Sequence, residues 1–263
     1  MSKNRHAVKR IAHVSLLITL AIVIRNLSYS FYIGSIMATR ISFSGIFTRM
    51  AAILFGPVYG GLASGILDII GYLIKPEGPF IPWLTLTAII GGVVAGFLWR
   101  WTGKADSMKA GRCYLLFFAC IGLIGGINLL VLSVWPDSFW GRVLDGIGKN
   151  KDLAASGLVV FAGIGFALYL FNLLIKRLNS KWQVNEQFFR VLLTVGVSGL
   201  LVTTLNTWIL QIVFPELAAI DFLVFLIPRL IKAAFVALVQ AYLVTFLLSI
   251  YNRYFVVESV PSR

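Results

Sequence analysis

Charged side chains are scarce in this chain of 263 residues: 13% of its residues carry one, against about a quarter in ordinary soluble domains. So few charges cannot cover the water-facing surface of a domain this size, which excludes a soluble globular fold. Histidine occurs only at His6 and His13, and cysteine only at Cys113 and Cys120. The two cysteines lie seven apart in one apolar run, so they share a helix face and cannot bridge each other. They provide neither a disulfide framework nor a metal site. HExxH, GxSxG and Walker motifs are missing, as are paired carboxylates placed for acid–base work. No catalytic residue and no cofactor is therefore expected, and the chain has no means of using ATP itself.

Apolar residues fill the space: 59% of the chain is hydrophobic and its mean hydropathy is +0.90. Apolar runs of roughly 17 to 25 residues recur along the whole length, the span of a bilayer core by an α-helix. The expectation is an all-α polytopic membrane helix bundle, residues 1–263 forming a single integral membrane domain. The net charge of +13 gathers in particular short loops and tails. That distribution points to membrane topology and contact with anionic lipid, and not to nucleic acid. The basic N-terminus and the apolar run after it read as a retained first helix. The run is longer than a signal-peptide core, and no small-residue cleavage site precedes Arg25.

In chain order, a first helix is expected from about Ile11 to Ile33, with Lys3, Arg5, Lys9 and Arg10 ahead of it holding the N-terminus in the cytoplasm. A short segment, Ser44 to Phe55, contains Arg49 and cannot span untilted. Two glycine-punctuated helices follow, Val58 to Ile74 and Pro82 to Trp101. Their pairs Gly61/Gly65 and Gly92/Gly96 have the spacing that lets backbones approach closely in lipid. Between them, Lys75 to Pro82 holds three prolines and a glycine and reads as an ordered outer loop. Further spans are expected at Cys113 to Val134, Leu153 to Ile175, Phe188 to Phe214 and Phe222 to Tyr251. The charged connection holding Asp137, Arg142, Asp145, Lys149, Lys151 and Asp152 lies outside. Eight segments with N- and C-termini both cytoplasmic satisfy the charge rule.

In that topology Arg25, Asp68, Thr85, Thr87, Asn206, Arg229 and Lys232 all fall in the outer halves of five helices. Ionisable side chains within a membrane mark binding sites or pathways by default. Arg229 and Lys232 are three apart and share a helix face. Asp68 is the one acid set against them, so an anionic small molecule is the natural counterpart. Arg40 lies on the outer connection. Phe43, Phe80 and Trp83 offer flat apolar surface at the rim, or serve as interfacial belt aromatics. The candidate binding set is Arg25, Arg40, Phe43, Asp68, Phe80, Trp83, Thr85, Asn206, Arg229 and Lys232.

Several motifs taken together carry a resemblance: Phe55-Gly56-Pro57 before a glycine-rich helix with Asp68, then Pro79-Phe80-Ile81-Pro82-Trp83-Leu84-Thr85-Leu86-Thr87-Ala88, Asn206-Thr207-Trp208, and Pro228-Arg229-Leu230-Ile231-Lys232. This set resembles the substrate-binding S component of energy-coupling-factor (ECF) vitamin transporters, folate-type branch. The resemblance implies a subunit of a prokaryotic plasma membrane that binds an anionic, ring-bearing vitamin, folate or a related compound, near the outer surface. It implies as partners a transmembrane coupling subunit and two cytoplasmic ATPases, with transport by toppling of the whole S component. Against a six-span core, residues 113–176 look like an inserted transmembrane hairpin. The chain departs from the family at Phe47-Thr48-Arg49, at Trp83 where glycine is common, and in helix one, where Ser15 and Thr19 stand for the usual alanine stripe. A competing reading is a membrane scaffold or assembly protein that uses the hairpin to bind a partner protein. Self-sufficient secondary transport has less behind it, because no convincing inverted repeat is present.

Overall fold

A computed structural model describes residues 2–33, 36–76, 78–104, 107–141, 151–178, 184–220 and 222–254. The charged connection at 142–150, Glu77 in the loop after Ile74, and the acidic residue at 221 lie outside the described residues. The expected helix bundle is present. Apart from short helical turns at Thr102–Lys104 and Pro215–Ala218, its described helices are α1 (Ser2–Asn26), α2 (Gly45–Phe55), α3 (Pro57–Ile74), α4 (Pro82–Trp101), α5 (Ser107–Val134), α6 (Lys151–Leu178), α7 (Val184–Val213) and α8 (Phe222–Tyr254). Among the described residues, five stretches are long and apolar enough to cross a membrane: Pro57–Ile74, Pro82–Trp101, Tyr114–Val134, Gln187–Val213 and Phe225–Asn252. At 11 residues α2 rises only about 16 Å, half of a bilayer core.

One expectation fails at the end of the first helix. It stops at Asn26, and Tyr29–Ile33 and Ile36–Ile41 form an antiparallel pair, β1 and β2, with Tyr29 opposite Ile41 and a bulge between Phe31 and Tyr32. Aromatic and β-branched residues dominate both runs, and such side chains favour a pleated surface over a helix. The two runs are separated by Gly34-Ser35, a recognised hairpin signal.

The turn from α2 to α3 is made at Gly56, whose φ of 98° is open to glycine and costly for other residues. Pro57 follows as the first residue of α3, where its missing N–H removes no helix bond. The glycine spacings in α3 and α4 serve close packing. A Cβ on Gly92 would overlap the Gly60 carbonyl, and one on Gly61 or Gly65 would press into Val93 or Ile89. With no hydrophobic force acting between helices in lipid, this close packing helps hold α3 to α4.

The largest apolar core joins α1, α2, α7 and α8 through Leu17, Ile46, Met50, Phe188, Val191, Val244 and Leu248, with Tyr114 and Phe118 of α5 against it. A second, smaller cluster, Leu210, Leu217 and Phe225 with Ile81, Leu84 and Phe214, closes the bundle at the end where the β hairpin lies. α5 and α6 pack chiefly on each other and reach the bundle through α7 and α8. Tyr114 of α5 donates a 2.7 Å hydrogen bond to the Gly165 carbonyl of α6.

Candidate functional site

Between the two apolar clusters lies a cavity of about 500 Å³. Val195 and Ala237 of the main core border it on one side, and Ile81, Leu84, Leu210 and Phe214 on the hairpin side. Its polar lining comes from nearly every element of the bundle: Arg25 of α1, Arg40 of β2, Arg49 of α2, Asp68 and Tyr72 of α3, Thr203 and Asn206 of α7, and Arg229, Lys232 and Gln240 of α8. Lys75, Gly78, Pro79 and Phe80 of the loop between α3 and α4 complete the hairpin end. The described lining thus holds six cations and one acid.

Asp68 has a donor on each of its oxygens. Arg25 Nη1 lies 3.1 Å from its Oδ1 and also donates to the Leu67 carbonyl at 3.0 Å, while Thr85 donates to Oδ2 at 2.8 Å. Gly71, one turn further along α3, leaves the room in which Arg25 lies, since a Cβ there would overlap the guanidinium. The carboxylate therefore satisfies Arg25 before any ligand arrives.

The α8 cations are held differently. Lys232 Nζ donates to the Arg40 carbonyl at 3.1 Å, which ties β2 to α8. Arg229 lies 4.8 Å over the Phe225 ring and is 9% exposed, yet its Nε and Nη1 have no hydrogen-bond partner. Arg49 rests against α4: a Cβ on Gly91 would stand 3.6 Å from both of its terminal nitrogens. Its Nε is shielded from solvent and likewise has no partner. Gln240 donates to the Ser42 carbonyl at 3.1 Å and fixes the chain leading into α2. Asn206 accepts a hydrogen bond from Thr87.

Seven of the ten residues singled out in the sequence line the cavity: Arg25, Arg40, Asp68, Phe80, Asn206, Arg229 and Lys232. The other three do not. Thr85 is buried behind Asp68 as its hydrogen-bond donor, Phe43 is 39% exposed beside the start of α2, and Trp83 is 61% exposed on α4. For Trp83 the reason is helix geometry: Ile81, just before α4, and Leu84 and Ala88 of α4 line the cavity, and position 83 lies off that stripe. Arg49, Lys75, Tyr72 and Gln240 were missed. Of these Arg49 had a clear signal, a cation inside an apolar segment. Gln240 had none, being one polar residue in a long helix.

Comparison with known proteins adds a family. The family model described as "ECF-type riboflavin transporter, S component" matches residues 5–137, half of the chain and α1 through α5. The folate transporter FolT of Clostridium novyi is 30% identical over 105 residues, which cover 40% of this chain and 57% of that protein. The folate transporter FolT of Streptococcus mutans serotype c is 29% identical over 146 residues, 52% of this chain and 75% of that one. The chain thus spans somewhat more than half the length of the first of these relatives. No solved structure matches it.

Proposed function

Because the chain belongs to the family of S components of ECF-type riboflavin transporters, we propose that it is the membrane-embedded substrate-binding subunit of a vitamin importer, taking up an anionic, ring-bearing compound, folate or a relative. The observation that carries this reading is the cavity. Its volume, about 500 Å³, falls in the range of small-molecule sites, and its described lining is strongly cationic. Carboxylate or phosphate groups on a ligand supply the acceptors that buried guanidiniums require. The β hairpin and the loop carrying Phe80 close one end, and Tyr72 and Phe80, 5.1 Å apart between centroids, present apolar ring surface there. In this reading Arg25, Arg40, Asp68, Phe80, Asn206, Arg229 and Lys232 surround the substrate, and Thr85 positions Asp68.

The partners in this reading are the ECF transmembrane coupling subunit and two cytoplasmic ATPases, since the chain carries no nucleotide-binding motif of its own. Calorimetric titration of the purified protein with a vitamin panel tests the site. Folate or a related anionic vitamin is expected to bind at micromolar concentration or tighter, and Arg229→Ala to abolish binding. Silence across the panel, or indifference to Arg229→Ala, overturns the reading. Affinity purification from native membranes tests the assembly: the coupling subunit and both ATPases should accompany the chain, and their consistent loss favours a scaffold.

A further inference from the structure

Two arginines in the cavity have buried nitrogens without hydrogen-bond partners, and they lie at different depths. Arg229 stacks on Phe225, a member of the small apolar cluster with Leu84 of α4 and Leu210 of α7. Arg49 lies against Gly91 of α4, where the Val202 side chain of α7 also closes in. From Leu84 to Gly91 is seven residues and from Leu210 to Val202 is eight, so at 1.5 Å per residue the two levels are about 10 to 12 Å apart on either helix. Two helices running in opposite directions give the same separation.

The one acid on the described lining is paired elsewhere. Asp68 already receives Arg25 and Thr85, and it sits at the Thr85 level, about 9 Å above Gly91 along α4. A guanidinium cannot shed its charge as a lysine can. Burying one without an acceptor is unfavourable, and the fold does so twice, on two helices, facing one empty space.

We propose that the ligand is an elongated, ring-bearing dianion with one anionic group at each end, Arg229 receiving the group near the hairpin and Arg49 the group at the deep end. This deepens the proposed function and rests on it. Within the proposed substrate class it favours a relative of folate that is anionic at both ends over folate itself, whose carboxylates lie at one end. Arg49 then sets specificity: it admits an oxyanion to the bottom of the cavity and leaves a neutral ring edge with an unmatched charge.

The test uses the full-length protein in detergent and four probes: 4,4′-biphenyldicarboxylate, a rigid rod with a carboxylate at either end, its one-ended counterpart biphenyl-4-carboxylate, folate and riboflavin. Dissociation constants are measured by calorimetry for the wild type, Arg49→Gln, Arg49→Lys and Arg229→Gln. The dicarboxylate is expected to bind at least about tenfold tighter than the monocarboxylate. Arg49→Gln and Arg229→Gln should each erase that advantage, and Arg49→Lys should keep part of it. Equal binding of the two biphenyls, an advantage that survives Arg49→Gln, or binding of folate without the dicarboxylate overturns the two-ended ligand and leaves the proposed function standing, whereas binding of riboflavin alone, an uncharged compound, overturns both. The comparison of probes on the wild type decides the point even where a variant fails to fold. Binding of none of the four overturns the two-ended ligand, and silence across the whole vitamin panel is what overturns the proposed function.

Discussion

On the wall built by α1, α3 and α4, Arg25 has a carboxylate at 3.1 Å and a carbonyl at 3.0 Å, and the carboxylate has a threonine hydroxyl on its second oxygen. On the walls built by α2 and α8, Nε of Arg49 and Nε and Nη1 of Arg229 are buried without a hydrogen-bond partner. The same side chain is used in two opposite ways within one cavity. The first set is closed and holds three helices together; its energy is already spent in the empty protein. The second is open, carries a desolvation cost in the empty protein, and recovers it only when an anion enters. Buried ion pairs are costly to break and unpaired buried charges are costly to keep, so the two walls should answer mutation with opposite signs.

The largest effect is expected at the closed wall. Asp68→Asn leaves the Arg25 guanidinium without its counter-charge and should lower stability by about 3 kcal/mol, read from reversible unfolding in mixed micelles. Replacing both partners, Arg25→Met with Asp68→Leu, should recover most of that loss, and a double-mutant cycle then isolates the pair. Thr85→Val keeps the ion pair and removes one hydrogen bond to the carboxylate, for a smaller loss of about 2 kcal/mol. At the open wall the sign reverses. Arg49→Met should raise the stability of the ligand-free protein by about 1 kcal/mol while weakening ligand binding. A fall in stability comparable to that of Asp68→Asn would show that Arg49 is a structural residue and would erase the contrast. The smallest effect belongs to the rim. Trp83→Ala, at a site 61% exposed, should change stability by no more than about 0.5 kcal/mol and leave binding unaltered.

The legibility of the site followed from how rare its chemistry is in this composition. In a chain with 13% charged residues, a cation inside an apolar run is visible at once, and Arg25, Asp68, Arg229 and Lys232 could be gathered because a membrane leaves such groups few places to go. Aromatics carry no such contrast. With 20 phenylalanines and 7 tryptophans in the chain, nothing local separated Phe80, which lines the cavity, from Phe43 and Trp83, which do not. The β hairpin was missed because an apolar run of aromatic and β-branched residues satisfies a helical and an extended reading equally well until length is considered. Tyr29 to Ile33 was absorbed into the helix before it, although Gly34-Ser35 between two such runs was a turn signal in plain view.

By itself the sequence determined the solvent, the class of fold and the sign of the site. Few charges and repeated apolar runs leave a membrane bundle as the stable solution, glycines at four-residue spacing bring α3 against α4, and an excess of cations over acids calls for an anion. Only the tertiary structure decided which cations are satisfied. Arg25, Arg49 and Arg229 are alike as sequence signals, each a lone arginine in an apolar segment. What separates them is distance: Asp68, 43 residues away in the chain, comes within reach of Arg25, and among the described residues no acid comes within reach of Arg49 or Arg229. Electrostatic pairing in a desolvated site depends on a few ångströms, and that spacing is set by helix packing, which no local stretch of sequence contains.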